Sequence, residues 1–153
     1  MIPLIVKVTA TLPRKRDLNR IRNVCNRAAG IEVRDLLPLH FEAGAQQRFR
    51  YQFRSKQYNR RKQRIFGHQK PLVFTGRMRQ SVLRTARVTA TSKGAKVQAN
   101  TGTRGFRSAE WRRQRKLELE AVTKQQQRTI SDNYSKRFTE LAQLPEFQTT
   151  TKG

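Results

Sequence analysis

Residues 70–81 read KPLVFTGRMRQS, and this stretch is the most informative part of the chain. An apolar run at 72–74 is followed by Thr75 and Gly76, and then by a cationic segment with helical spacing. Pro71 favours an extended entry, Thr75 is a good N-cap residue and Gly76 permits a tight junction. Because the stretch holds no catalytic group, we expect its role to be geometric: an apolar arm joined directly to a capped helix.

Downstream, the helix started by this stretch is short, and a β-hairpin follows it. Met78, Val82 and Ala86 recur every four residues, which is the spacing of one helical face. From residue 87 the apolar period changes to two, and Lys93-Gly94 interrupts the alternation as a turn. This pattern predicts a hairpin over residues 87–99.

The last third of the chain predicts a strand and a capped helix. Residues 117–121, LELEA, alternate apolar and acidic residues, which favours a further strand. Thr123 and Gln126 have the spacing of a capping box. We expect them to open a final helix that ends at Pro145.

Upstream, the sequence predicts a strand, two helices and a loop. Residues 2–11 alternate as a half-buried strand, and residues 14–29 carry a helical apolar stripe that Gly30 ends. A second helix is expected from about Asp35, its N-cap, whereas residues 55–70 lack a clear period and are interpreted as a loop. The apolar ridge of the second helix is predicted to comprise Leu37, Phe41, Ala45, Phe49 and Phe53.

These elements together predict an α+β fold. Its sheet is small, mostly antiparallel and of about four strands, with helices packed on one face. With 153 residues the chain is the size of one ordinary domain, which we place at residues 1–144. Residues 145–153 are expected to be a frayed tail.

The charge of the chain indicates an acidic partner. There are 34 Lys and Arg against 10 Asp and Glu, a formal net charge of +24. No acidic residue lies between Glu42 and Glu110, although that interval holds 17 Lys and Arg. Such a chain favours nucleic acid, an anionic membrane or acidic protein surfaces. Because no segment has the pattern of a transmembrane helix or a signal peptide, we expect no membrane association and a cytosol-like compartment.

Two basic segments are candidate partner-facing surfaces. Residues 46–64 interleave eight Lys and Arg with aromatic residues, and this pattern suits base stacking, docking beside a DNA backbone or acidic protein, or a solvated face. Residues 101–115 are expected to form a flexible basic loop; the GxxG at 102–105 follows a hairpin strand, unlike the helix-joining loop of a KH domain. The candidate residues facing acidic partners or DNA are Arg60, Arg61, Lys62, Arg64, Arg104 and Arg107, and the candidate inter-subunit anchors are Phe106 and Trp111.

The residues that carry chemistry in enzymes are sparse. Cys25 is a single cysteine, so no disulfide can form within the chain, and with His40 and His68 it makes no spaced metal set. Glu118 and Glu120 are expected to pair with nearby Arg or Lys. No phosphate-binding loop, dinucleotide fingerprint or nucleophile elbow occurs. We therefore expect no enzyme activity, no cofactor and no metal.

The order of these features resembles a family, the small neck proteins of tailed bacteriophages. A basic helix and loop lead to PLVFTGRMRQSV, and then follow the hairpin ARVTATSKGAKVQAN, a variable loop, LELEAV and a capped helix. The family is variously described as tail-completion, head–tail joining, tail-terminator or virion-morphogenesis proteins. Met78 stands where leucine is more usual in the family. The positions that carry the resemblance and its expected assembly role are Pro71, Leu72, Phe74, Thr75, Gly76, Met78 and Ser81.

The resemblance implies a structural role in the virion. Such proteins form homo-oligomeric rings, often hexamers, in the neck that joins the DNA-filled head to the tail. The implied partners are copies of the chain itself, portal or adaptor and tail tube proteins, and genomic DNA in the channel. Assembly would occur in the host cytoplasm. The residues do not distinguish an adaptor, a stopper or a terminator ring, and a basic nucleic-acid-binding protein, such as a ribosomal protein, is the alternative.

Overall fold

The protein has an α+β fold in which a long helix, α1, is the central element. The computed structural model describes residues 15–51, 54–70, 72, 76–101 and 109–147. Helix α1 spans Lys15–Asp35, and Ile21 and Cys25 of its predicted apolar stripe are fully buried. The predicted end at Gly30 is wrong, because Gly30 lies inside the helix and is buried. The predicted strand at residues 2–11 lies outside the described residues.

Helix α6, Lys124–Ala142, packs along one side of α1. Its predicted capping box is confirmed: the Thr123 hydroxyl accepts from the Gln126 amide, and the Gln126 side chain accepts from the Thr123 amide. Asn133 and Arg137 both donate to Glu32 near the end of α1. Arg20, near the start of α1, lies 5.5 Å from the ring centroid of Phe147, which follows the end of α6. The two helices therefore run antiparallel.

The hairpin packs on the other side of α1, and its prediction is confirmed. Strands β1, Arg87–Thr91, and β2, Gly94–Gln98, pair antiparallel with Val88 opposite Val97. The described residues form this one two-stranded sheet, so the predicted four strands are not observed. Gly30 lies against Val88 and Ala95, which places α1 on the face of the hairpin that carries these two side chains.

The strand predicted at residues 117–121 is wrong. Helix α5, Ala109–Glu120, covers most of it, and also replaces residues 109–115 of the predicted flexible loop. The alternation of leucine and glutamate does not follow burial, since Leu117 is 58 % exposed whereas Glu118 is 5 % exposed. The buried side chain of this segment is thus a carboxylate, which pairs with Arg115 of α5 and with Arg54.

The predicted second helix is divided into two short pieces. Asp35 does not cap it, because it is the last residue of α1. A 3-10 helix, Leu37–Phe41, is followed by Gly44 in the left-handed region, with φ 82°, and by helix α2, Ala45–Arg48. Four residues of the predicted ridge are nevertheless buried: Leu37, Phe41, Ala45 and Phe49. The fifth, Phe53, lies outside the described residues.

The loop predicted over residues 55–70 contains helix α3, Lys56–Phe66. Ser55 caps it by accepting from the Tyr58 amide, and Gly67 ends it in the left-handed region with φ 68°. The helix lacks an apolar stripe, which is why periodicity failed to predict it. Its two end signals, Ser55 and Gly67, were present in the sequence.

Within the described residues, three buried clusters form the core. Leu37, Phe41 and Val82 form one beside the hairpin, and Ala45, Phe49 and Tyr51 form another. The third joins Ile21 and Cys25 to Phe147, which belongs to a 3-10 turn at Pro145–Phe147. Ordered packing therefore extends beyond the expected domain boundary at residue 144. None of the helices described here is long and apolar enough to cross a membrane.

Candidate assembly site

The junction at Gly76 starts helix α4, Arg77–Thr85. Gly76 occupies the N-cap position with φ 79°, a left-handed conformation that favours glycine. The prediction of Thr75 as the N-cap is wrong by one residue, because Gly76 holds that position. Thr75 itself, like Pro71 and Phe74, lies outside the described residues. The space around Gly76 is open, because a Cβ there would meet nothing within 4 Å. The backbone conformation, rather than lack of room, is thus the constraint at this position.

Leu72 connects this junction to the core. Its backbone is left-handed, with φ 56°, which is costly for a branched residue. Its side chain packs against both the Leu37–Phe41–Val82 cluster and the cluster that contains Phe49. The two clusters thus hold Leu72 in a conformation that it would not adopt alone.

Helix α4 presents one face to the core and another to solvent. Val82 is fully buried, and Met78 packs against its cluster. Ser81 is half-buried, and its carbonyl accepts from the Thr85 hydroxyl at 2.8 Å. Of the seven resemblance positions, the structure therefore brings Leu72 and Met78 to the same core cluster and places Gly76 at the start of the helix.

A groove of about 820 Å³ opens beside α4 and the hairpin. Its walls come from α1, the 3-10 helix, α4, β2 and α5, and they are largely apolar. Charged side chains of Lys96, Lys116 and Glu120 lie at this groove together with Arg115. The sequence patterns gave no indication of it, because its walls come from segments far apart in the chain.

A buried ion cluster underlies the groove. Glu118 is 5 % exposed and accepts from Arg115 Nη1 and Arg54 Nη2, both at 2.5 Å. The expected pairing of Glu118 with arginine is confirmed, although it occurs on a helix. Burial raises the pKa of the Glu118 carboxyl, and the hydrogen bond and charge of Arg54 oppose that rise. Glu120, in contrast, lies 3.8 Å from Lys116 in an exposed pair.

His40 lies beside the ion cluster in a stack of aromatic rings. Its ring is 4.0 Å from that of Phe49, and its Nδ1 is hydrogen-bonded to the Tyr51 hydroxyl. Burial lowers the pKa of His40 to about 4, whereas a hydrogen bond with the Glu118 backbone acts in the opposite direction. Burial and the charge of Glu118 raise the pKa of Tyr51. His40 is accordingly a neutral, structural histidine at pH 7.

Helix α3 carries four of the six residues that are predicted to face acidic partners or DNA, and three of these four are exposed. Arg60, Arg61 and Arg64 are exposed, and with Lys56 they form one cationic face, which we call the α3 basic face. Lys62 does not belong to it. Its side chain is 3 % exposed, its Nζ donates to the Lys70 carbonyl and lies 5.9 Å from the Tyr58 ring centroid. Burial, and secondly the charge of Arg54, lower the pKa of Lys62.

The remaining predicted contact residues are not tested by this geometry. Arg104, Phe106 and Arg107 lie outside the described residues. The backbone of Trp111 belongs to α5, but its side chain is not described. Among the residues that the structure describes, no group of three or more His, Cys, Asp or Glu is placed to hold a metal ion.

Comparison with known proteins gives no assignment. No protein-family model, no curated protein and no solved structure matches this chain.

Proposed function

We propose that the protein is a structural virion protein of a tailed bacteriophage, which forms a ring in the neck between the DNA-filled head and the tail. Within that role it acts as a tail-terminator, tail-completion or head–tail connector protein. The expected ring is a hexamer. Portal or adaptor proteins and tail tube proteins are the proposed neighbours, and assembly takes place in the host cytoplasm.

The observation that carries the proposal is the junction at Gly76. A left-handed glycine is the N-cap of a short helix, which the β-hairpin follows directly. This conformation gives a physical reason for the glycine of the Thr-Gly step on which the resemblance to neck proteins rests. The capped helix α6 at the end of the described chain agrees with the same order of elements.

The charge distribution supports assembly with acidic partners. The α3 basic face consists of a ridge at i, i+4 and i+8 (Lys56, Arg60 and Arg64) with Arg61 beside it, and α3 contains no acidic residue. Like charges on one helical face repel each other in isolation. Contact with a portal or tail surface of opposite sign, or with DNA in the channel, would remove that repulsion.

The proposed role is non-catalytic. Two of the groups with altered pKa values are bound to other side chains: Glu118 to two arginines, and His40 to Tyr51. Their burial supports a role in holding α5 against the 3-10 helix, rather than in presenting a nucleophile or base to a substrate.

The experiment that tests the proposal is a mass measurement of the purified protein, before and after nuclease treatment. A ring of defined copy number that nuclease leaves unchanged is expected. A monomer whose mass rises only when RNA or DNA is bound would contradict the neck-ring proposal and favour the second candidate.

That second candidate is a basic nucleic-acid-binding protein, such as a ribosomal protein. The net charge of +24 and the α3 basic face favour it. Binding of this kind weakens steeply with salt, because each neutralised phosphate releases counterions. A ring held by apolar contacts would keep its mass at salt concentrations that release nucleic acid.

A further inference from the structure

Tyr58 begins a row of neighbouring side chains on the surface of helix α3, which we call the Tyr58 row. Arg61 and Arg64 follow at intervals of three residues, and side chains three apart are neighbours on a helix. Each step rises about 4.5 Å along the axis and turns by about 60° around it. Both arginines are exposed, and Tyr58 is 38 % exposed. An aromatic ring thus lies at the end of a row of two arginines.

The Tyr58 ring packs on a buried cation. Lys62 is 3 % exposed, and its Nζ donates to the Lys70 carbonyl. The same ammonium lies over the Tyr58 ring, 5.9 Å from its centroid, where a cation is attracted to the face of an aromatic ring. Because Lys62 takes one face of the ring, a stacking partner from outside the molecule would use the other face.

The charges around the ring are not neutralised by carboxylates. Helix α3 contains no acidic residue. In the part of the chain that the structure describes, the four side chains of the α3 basic face form no ion pair. Glu118, in contrast, is paired with two arginines of the interior. The surface of α3 is therefore purely cationic, and an anionic ligand would relieve its internal repulsion.

The composition of this surface favours nucleic acid over an acidic protein. Of the eight exposed residues of α3, four are cationic, two are glutamines, and the other two are Tyr58 and Ile65. The buried centre of a protein–protein interface is depleted in charged residues, whereas interfaces with nucleic acid are much more positively charged. Glutamine also bonds to phosphates and base edges.

We propose that helix α3 binds single-stranded nucleic acid, with a base stacked on the Tyr58 ring and flanking phosphates on Arg61 and Arg64. Cations that follow the backbone and an aromatic ring that stacks on a base are the two components of single-strand binding sites. A duplex offers its phosphates to the arginines, but its base faces are covered by their neighbours. The proposal stands with or without the neck ring, which the mass measurement tests separately.

Binding of a labelled oligothymidine to the full chain, followed by fluorescence anisotropy, tests the stacking. Tyr58→Leu should weaken binding by about five-fold or more, whereas Tyr58→Phe, which keeps the ring, should stay within about two-fold of the native protein. A duplex of the same length is the second probe. Its affinity should differ by less than about two-fold among the three proteins, because stacking does not contribute to it.

Arg61→Gln and Arg64→Gln test the phosphate contacts. Each should weaken binding of the single strand and lower the slope of log affinity against log salt by about 0.7, the value for one phosphate contact. Arg128→Gln is the matched control, because it removes an exposed arginine from α6, and it should leave the slope unchanged. An equal effect of Arg128→Gln would overturn the proposal, since binding would then follow net charge alone.

Nuclear magnetic resonance of the native protein gives a measurement that does not depend on the folding of a variant. The ring-proton resonances of Tyr58, identified by comparison with the Tyr58→Phe spectrum, should move upfield when oligothymidine is added, because a stacked base shields them. Absence of this shift, or equal affinity of Tyr58→Leu and the native protein, would overturn the proposal. Tighter binding of a polyglutamate of the same length would also overturn it and would favour an acidic protein partner.

Discussion

Gly30 of α1 lies so close to Val88 of β1 that a Cβ at position 30 would fall 2.5 Å from Val88 Cγ1. The same Cβ would lie 3.0 Å from the Cβ of Ala95 on β2. Glycine thus lets the central helix approach the hairpin at a distance that no other residue permits. This contact fixes the hairpin on α1 and, with it, the position of the groove.

Gly30→Ala is expected to destabilise the protein. Alanine favours a helix interior by up to about 1 kcal/mol, but overpacking against Val88 costs typically about 1–3 kcal/mol. We expect a net loss in the free energy of unfolding, measured by urea denaturation. Gly94→Ala is the control, because a Cβ there meets nothing within 4 Å and its φ is not left-handed. Equal stability of the two variants would contradict the close approach.

Gly76→Val is expected to cost at least about 1–2 kcal/mol, since a β-branched residue is strained at φ 79°. If the neck-ring proposal holds, ring assembly should also be impaired. Urea denaturation and the mass of the purified protein measure the two effects. Gly76→Asn should be much milder, because asparagine tolerates the left-handed region. An asparagine variant as damaged as the valine variant would exclude backbone conformation as the cause.

Glu118→Gln is expected to lower the free energy of unfolding by about 3–5 kcal/mol, because it leaves two largely buried guanidinium groups without their carboxylate. Glu120→Gln, only two residues away, removes an exposed pair and should cost less than about 1 kcal/mol. Denaturant unfolding of both variants at pH 7 makes the comparison. Similar losses for both would mean that the ion cluster contributes little.

The low pKa of His40, about 4, makes stability depend on pH. The unfolded chain binds a proton near pH 6.5 and the folded chain does not, so this contribution is present above pH 6.5 and is lost as pH falls toward 4. The full effect is on the order of 3 kcal/mol, at 1.36 kcal/mol per pKa unit. Urea unfolding between pH 4 and 8 should show a steeper decline for the native sequence than for His40→Phe, which keeps an aromatic ring without a titrating group. Parallel pH profiles would contradict this assignment.

Charge reversal on α3 should have different effects at its exposed arginines and at buried Lys62. Arg60→Glu, Arg61→Glu and Arg64→Glu change exposed side chains, and each should alter stability by no more than about 0.5 kcal/mol. They should reduce binding to acidic partners or DNA and its dependence on salt. Lys62→Glu, in contrast, places an acid in a buried site and should destabilise the fold markedly. The three arginine substitutions can also be combined in one triple variant. If its assembly and the salt dependence of its binding are unchanged, the α3 basic face is not a partner surface.

The sequence by itself determined the elements whose signals are local. The capping box of Thr123 and Gln126 and the alternation around the hairpin turn act over a few residues, and both were predicted correctly. The buried stripe of α1 was also predictable, because Ile21 and Cys25 lie on one helical face. In each case the residues that decide the structure are close together in the chain.

Only the tertiary structure decided the elements whose partners are distant. Residues 117–121 alternate like a strand, but Glu118 pairs with Arg54, 64 residues away, and the segment is helical. Glycine is typical of a helix end, but Gly30 lies inside α1 against the hairpin. The hairpin residues that leave no room for a Cβ there lie about sixty residues further along the chain. Local propensity contributes tenths of a kcal/mol per residue, whereas a buried charge or a steric clash contributes several, so the distant contacts prevail.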